Sequence, residues 1–346
     1  MPKLRSQLQK ITNYRQWLDD RWLEHINAKP IDAPTVISTF AGAGGSSLGY
    51  SMSGFHELLA VEMDDNAVAT FRKNFNGVPV YHGDISGLSI DYCKKLIGNK
   101  ELDVLDGSPP CQGFSTSKVV RNSDDPRNSL YLEFVRLLIG LKPRCFVMEN
   151  VLGMVSCNKG AFATILSDLK SVGYRVSVRL MNASYFAVPQ VRERLIFIGF
   201  RDDLGIEPSH PDPEFLQISG LDAITDIPKG NYPVCTVTQK TIDIMKSCLP
   251  GKKVGGNSYY SWFRAGITTP CYTIQKSLNY GKFSVWHPID HRPLNGREVA
   301  RLGGWPDQFQ FIGDIKDWVA RIGNSVPPPL MRSIATHIKK NLNERI

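Results

Sequence analysis

The chain has seven cysteines, Cys93, Cys111, Cys145, Cys157, Cys235, Cys248 and Cys271, and no two stand as Cys-x-x-Cys. No Cys/His cluster has zinc-ligand spacing, so no metal site is expected. The number is odd and the positions are scattered, which reads as reduced thiols, most of them serving as small buried apolar residues. No apolar run approaches the roughly 18 residues of a membrane span. The opening residues MPKLRSQLQK lack the apolar core of a signal peptide. A soluble cytoplasmic protein without a membrane partner is therefore expected. No internal repeat and no low-complexity tract is visible. The dinucleotide fingerprint Gly-x-Gly-x-x-Gly is also missing: counted from Gly42 and Gly44, its third glycine falls on Ser47. A nicotinamide-dependent oxidoreductase is disfavoured accordingly.

What is present is a chain of 346 residues, 42% hydrophobic, with a formal net charge of +8. That length accommodates one large domain and a smaller one. The basic balance suits a polyanionic partner such as nucleic acid.

From Thr35 the sequence alternates short β-branched runs with helical stretches. TVIST, ELLAVE, VPVYHGD, LDVLDGS and CFVMEN read as five strands. AVATFRKNF, SLYLEFVRLLIGL and FATILSDLKSVG read as helices between or after them. RVSVRLMNA and RLIFIGF follow with no clear helix between them, so an antiparallel edge is expected there. The fold class is α/β: a doubly wound, mostly parallel sheet covered on both faces. Before it, Ile11, Tyr14, Leu18 and Trp22 recur at helical spacing and predict an amphipathic helix packed on the main body. After Phe200 the rhythm fades, and GIEPSHPDPEF reads as a loop. The predicted organisation is an N-terminal helical extension over residues 1–34, a catalytic and cofactor-binding domain over 35–204 and 318–346, and a smaller irregular domain over 205–317.

Three features carry chemistry. STFAGAGGSSLG follows a strand and opens a helix, a place where backbone amides approach a ligand. Glu62 ends the next strand, where an acid can bind the two hydroxyls of an adenosine ribose. Asp84 ends the third strand, within reach of an adenine amino group. Together they predict an adenosine-containing ligand without a pyrophosphate. SPPC then sits at the carboxyl edge of the sheet, with Cys111 in a loop stiffened by Pro109 and Pro110. A nucleophile held in a narrow geometry gains rate by orientation. Glu149, in ENV, reaches the same edge from the next strand, where a carboxyl group can hold a proton during covalent catalysis.

FAGAGG, GSPPCQGFS, ENV, QVRER, RPLNGREVARLGGWPDQF and GNSVPPPL follow one another from about Val36 to Leu330. This ordered set resembles the DNA (cytosine-5)-methyltransferase family of bacterial and phage type. Related amino-methyltransferases carry a polar residue and an aromatic around the Pro-Pro pair and no cysteine, so SPPC speaks against them.

The resemblance implies a Rossmann-like fold, S-adenosyl-L-methionine as cofactor and a flipped-out cytosine in a specific sequence of double-stranded DNA as substrate. Cys111 would add to cytosine C6 and Glu149 would hold N3. Arg192 and Arg194 of QVRER would complete the catalytic set, Arg194 being the nearer to the base. Phe40, Gly42, Gly44, Gly45, Glu62, Met63, Asp84, Ile85, Pro109, Asn324 and Ser325 would form the cofactor site. The variable stretch from about Gly205 to His291 would read the DNA. Gln112, Ser115, Lys252, Lys253, Tyr259, Tyr260, Arg264 and Thr273 would touch it. STSKVVRNSDDPRNS would be the loop that closes over the base. Arg297 and Glu298 read as structural anchors. Gly303-Gly304-Trp305 departs from the family's usual Gln and Phe there. A monomer is implied, with a cognate restriction endonuclease as a genetic partner. The same chemistry on tRNA is less favoured: the Cys-Phe-Thr segment of tRNA enzymes related to the eukaryotic DNA methyltransferases is absent. An inactive DNA binder is disfavoured because every motif residue is in place.

Overall fold

The computed structural model describes residues 8–110, 129–154, 159–254, 262–276 and 285–344. Helix α1 (Tyr14–Ile26) precedes the alternating unit β1 (Thr35–Thr39), α2 (Gly45–Met52), β2 (His56–Glu62), α3 (Asp65–Asn74), β3 (Val80–His82), α4 (Ile90–Ile97), β4 (Val104–Gly107), α5 (Ser129–Leu141), β5 (Cys145–Asn150) and α6 (Lys159–Ser171). Strands β6 (Tyr174–Asn182), β7 (Gln190–Val191) and β8 (Glu193–Arg201) follow.

The main sheet has seven strands in the order β3-β2-β1-β4-β5-β8-β6. The strands from β3 to β5 pair in parallel, and β8 inserts antiparallel between β5 and β6. The antiparallel edge arises because no helix separates β6 from β8, so the chain must turn back. The strand order reverses between β1 and β4. Open α/β sheets bind ligands at the carboxyl edge of such a switch point. The loops that leave β1 and β4 are FAGAGG and SPPC, so the topology alone brings the glycine loop and the stiff loop together.

Both sheet faces are covered, which is why the central strands read as near-continuous apolar runs. Ile37, Leu59, Leu105, Phe146 and Phe197 face a layer that includes Cys93, Phe134, Leu138 and Leu169. Val36, Val104, Val147, Ile196 and Ile198 face Tyr50, Phe55, Val326, Leu330 and Ile334. Each such side chain, fully buried, contributes roughly 1.5–3 kcal/mol before entropy is charged.

Beyond β8 regular structure thins out, as the loss of rhythm predicts. Short helices α7 (Gly220–Ile224) and α8 (Gln239–Lys246) and two-residue strands β9 (Phe263–Arg264), β10 (Cys271–Tyr272) and β11 (Val285–Trp286) lead to α9 (Gly296–Leu302), α10 (Ile315–Asn324) and α11 (Pro328–Asn343). Strand β10 pairs with β7, which ties this region to the QVRER segment. Asn295 caps α9 with Glu298 in a reciprocal box. Glu298 also takes Arg292 through both oxygens, at 2.7 and 2.9 Å. Arg297 donates to the Pro306 and Phe309 carbonyls, so both residues anchor structure. Gly304 stands at φ +81° and turns the chain so that Trp305 is fully buried against Phe309 and Phe311.

Helix α1 packs across the body. Its Tyr14 hydroxyl donates to the Arg301 carbonyl, Trp17 and Trp22 meet Phe215 and Phe309 edge-on, and His25 Nδ1 lies 2.8 Å from Ser51 Oγ on α2. Burial holds His25 neutral, its pKa lowered to about 4. Ile11 lies ahead of the helix, although its spacing placed it on the same face. Among the described residues no helix is long and apolar enough to cross a membrane.

Candidate active site

Phe40 and Gly42 leave β1 with φ of +55° and +56°, and Gly44 follows at +93°. Only glycine enters this left-handed region at little cost, so the two glycines permit the turn and Phe40 is held in it by the fold. Gly45 opens α2 under a close roof. A Cβ there would come within 2.4 Å of the Val326 carbonyl and 2.8 Å of Ser325 Cβ. The GNSV segment, about 280 residues later in the chain, therefore closes directly on the glycine loop.

The Glu62 carboxylate is fixed at the end of β2. One oxygen accepts from Gly42 N at 2.8 Å, the other from Met63 N and Asp64 N at 2.8 and 2.9 Å. A carboxylate offers about four acceptor positions, so it can still receive a ligand hydroxyl. Asp84, at the end of β3, is exposed. The Ser86 amide and hydroxyl hold its carboxyl below the usual carboxylate range. Ile85 beside it is buried, while Met63 is exposed. Pro109 lies buried after β4, and its carbonyl accepts from Asn150 Nδ2 at 3.1 Å. Asn324 is exposed at the end of α10, next to Ser325. Gly42, Glu62, Asp84 and Pro109 lie at or just after the carboxyl ends of β1 to β4, with Ser325 against Gly45 and open room at Gly42. They fit an adenosine-type ligand.

Glu149 and Arg194 meet across the β5–β8 pairing. Asn150 stands opposite Leu195 and Glu149 opposite Ile196, which brings the start of β8 to the carboxyl edge. Arg194 Nε lies 2.8 Å from Glu149 Oε1, with both side chains largely buried at 13% and 12% exposure. Arg192, two residues earlier, does something else. It is 2% exposed and donates to the Ile274, Gly323 and Ser325 carbonyls at 3.2, 2.8 and 2.8 Å. Burial opposes its charge, and three carbonyls offset that cost. Its guanidinium is committed to joining β8, the small region and GNSV. The expectation of a catalytic Arg192 is corrected to a positioning one.

The expected DNA contacts divide in the same way. Lys252 and Lys253 are exposed, and Lys253 Nζ sits 5.0 Å above the Tyr272 ring. Thr273 Oγ1 donates to the Val191 carbonyl at 2.6 Å. Arg264 is 4% exposed and donates to the Ile289 and Met245 carbonyls, with His291 Nδ1 at 2.8 Å. It is internal framework, and a buried guanidinium spent on carbonyls cannot face DNA. Cys111, Gln112, Ser115, Tyr259, Tyr260 and most of the STSKVVRNSDDPRNS loop lie outside the described residues.

The sequence model of the family described as C-5 cytosine-specific DNA methylase matches residues 34–340. The chain belongs to this family. Among curated relatives, the Type II methyltransferase M1.HphI of Haemophilus parahaemolyticus is 34% identical over 334 residues, covering 90% of this chain and 88% of that protein. M.NgoPII of Neisseria gonorrhoeae is 31% identical and covers 89% of this chain and 96% of that protein. Among solved structures, an Escherichia coli prophage protein described as a DNA modification methyltransferase superposes with a TM-score of 0.75 at 26% identity, over 90% of this chain and all of that one. The S. pombe Dnmt2 methyltransferase shares the fold, with a TM-score of 0.67 at 17% identity. As a member of the C-5 cytosine-specific DNA methylase family, the protein is a cytosine-5 DNA methyltransferase of Rossmann-like fold that uses S-adenosylmethionine as methyl donor.

One cluster on this methylase's sheet was not legible beforehand. Asp106 on β4, Tyr50 on α2 and Glu57 on β2 are buried at 3%, 0% and 7% exposure. Asp106 and Glu57 were hidden inside apolar-looking strands. The only signal was a carboxylate where an apolar alternation called for none.

Proposed function

We propose that this methyltransferase acts on a cytosine rotated out of duplex DNA, through a covalent bond between Cys111 and C6. Cytosine C6 is inaccessible in a stacked duplex, and flipping costs only a few kcal/mol. The observation that carries the reading is the Glu149–Arg194 pair at the switch-point edge, one strand from the loop that holds Cys111. Glu149 holds cytosine N3 and shares its proton as Cys111 attacks. Arg194 orients Glu149 and faces the base. Attack at C6 makes C5 an enamine-like carbon, splitting one hard step into two. Phe40, Gly42, Gly44, Gly45, Glu62, Met63, Asp84, Ile85, Pro109, Asn324 and Ser325 would hold S-adenosylmethionine, which when bound supplies an electrophilic methyl group. Loss of the C5 proton to solvent expels Cys111 as a thiolate, restores the C5–C6 double bond and releases 5-methylcytosine. Arg192 keeps Gly323 and Ser325 in place beneath that site.

Exposed Lys252 and Lys253 would contact backbone phosphates. Thr273 would carry the DNA-reading region on the β7 edge. The names of the relatives support a role beside a cognate endonuclease in restriction-modification, with the enzyme working as a monomer in the cytoplasm. Methylation-sensitive sequencing of a plasmid carrying this gene tests the reading. A single methylated cytosine context is expected. An unmodified plasmid, with methyl groups appearing in tRNA instead, would overturn it.

A further inference from the structure

Beneath the switch point lies a polar cluster that the reaction as described does not use. Ser38, Asp106 and Val147 stand side by side on β1, β4 and β5, on the sheet face covered by α2 and α11. Asp106 Oδ1 accepts from the Tyr50 hydroxyl at 3.3 Å, and the Asp106 carbonyl accepts from Thr39 Oγ1 at 2.9 Å. Glu57 Oε1 accepts from Ser47 Oγ at 2.9 Å; the Ser38 hydroxyl lies beside the same carboxyl and favours its charged form, although neither it nor Glu57 Oε2 forms a well-aligned hydrogen bond. Tyr50 and Ser47 belong to α2, the helix that the glycine loop opens. Five residues after Asp106 comes Cys111.

An apolar core would serve stability better than buried carboxyls with incomplete hydrogen bonding. This cluster bridges the two elements that must be aligned for methyl transfer. We propose that Asp106 is a positioning residue: its carboxyl, held by Tyr50, locks the cofactor helix α2 to the strand that carries the nucleophile. The proposal rests on the cofactor site described above.

Burial pushes the Asp106 pKa up to about 8; the Ser46 and Tyr50 hydroxyls oppose the shift, and Glu57 and Glu149 add to it. Near neutrality the carboxyl is therefore protonated. Ionisation places a charge between Glu57 on β2 and Glu149 on β5, the latter partnered by Arg194. The other titratable groups packed here, Tyr50 on α2 and Cys145 on β5, are both pushed well up by burial and stay neutral. Ionised Asp106 would repel Glu57, loosen α2 and weaken cofactor binding.

The test is calorimetric binding of S-adenosylhomocysteine to the full chain from pH 6 to 9.5, with no turnover involved. If only the protonated form binds, about one molecule in eleven is competent at pH 9, a loss of roughly tenfold in affinity. Asp106→Asn, which mimics the neutral carboxyl, should remove that loss. Tyr50→Phe deletes a hydrogen bond that favours the ionised form, so its midpoint should move to higher pH. Identical pH dependence in wild type and Asp106→Asn, or an unmoved midpoint in Tyr50→Phe, overturns the coupling while leaving the cofactor site standing. No binding to wild type at pH 7 would overturn the site and the coupling together.

Discussion

Replacing Arg192 and Arg194 separately distinguishes two roles that the QVRER motif presents as one. Arg192→Met deletes three donors and strands the carbonyls of Ile274, Gly323 and Ser325. Each stranded carbonyl costs about 1–3 kcal/mol. Relief from burying a guanidinium offsets part of this, which leaves a net loss of roughly 3 kcal/mol. For a chain of 346 residues unfolding entropy is about 0.7 kcal/mol per kelvin, so the melting temperature should fall by about 4 °C. Cofactor affinity should fall with it, because Ser325 packs on Gly45. Arg194→Met breaks a largely buried ion pair and leaves Glu149 unpartnered. Losing one partner of such a pair costs about 3–5 kcal/mol, so the melting temperature should also fall, by about 4–7 °C. Cofactor affinity should hold, however, while methyl transfer falls by at least two orders of magnitude, the usual loss of a positioned proton-transfer system. The assays are thermal unfolding followed by circular dichroism and tritiated methyl transfer to plasmid DNA. An Arg192→Met protein that melts like wild type but cannot transfer methyl groups would refute the division of labour.

Three further outcomes follow from the same contacts. Gly45→Ala should weaken S-adenosylhomocysteine binding more than tenfold by calorimetry, since its Cβ would meet the Val326 carbonyl at 2.4 Å; Gly77→Ala, with φ +81° and open space around it, should cost about 1 kcal/mol of stability and no affinity. Arg301→Met should destabilise by about 3–5 kcal/mol in urea titrations, because the fully buried guanidinium pairs with Asp307 and Asp226 and accepts no substitute. Burial raises the Glu57 pKa to about 7. The folded state thus holds a proton that the unfolded chain has released, so stability is lost as pH rises from the ordinary carboxylate range through about 7. Glu57→Gln should flatten the melting temperature between pH 5 and 7.5, and an unchanged slope would contradict the assignment.

The alternation of apolar runs and helices carries the strand count, the parallel core and the antiparallel edge, because the central strands are buried on two faces and must look apolar. Helix α4 was not visible: IDYCKKLI spans two turns and buries only Cys93, too little for a 3.6-residue period to stand out. The positions of the glycine loop and Glu149 at the carboxyl edge are legible because each follows or ends an apolar run; the proposed nucleophile Cys111 lies outside the described residues. The split between Arg192 and Arg194 is not legible. Two arginines two apart look alike until GNSV and the segment after β10, both distant in sequence, supply the carbonyls that commit Arg192. Arg264 misleads for the same reason, sitting in a basic, aromatic stretch that folds around it. The Asp106 cluster depends on register across β1, β2 and β4, which no local pattern reports.

The most direct test of the central claim is covalent trapping on duplex DNA in which 5-fluorocytosine replaces cytosine throughout, which needs no knowledge of the recognition sequence. With S-adenosylmethionine present, the wild-type protein should form a complex that survives denaturation, and peptide mapping should place the DNA on Cys111. Cys111→Ala should form none. A stable adduct on Cys111→Ala, or one mapped to any of the other six cysteines, would contradict the account.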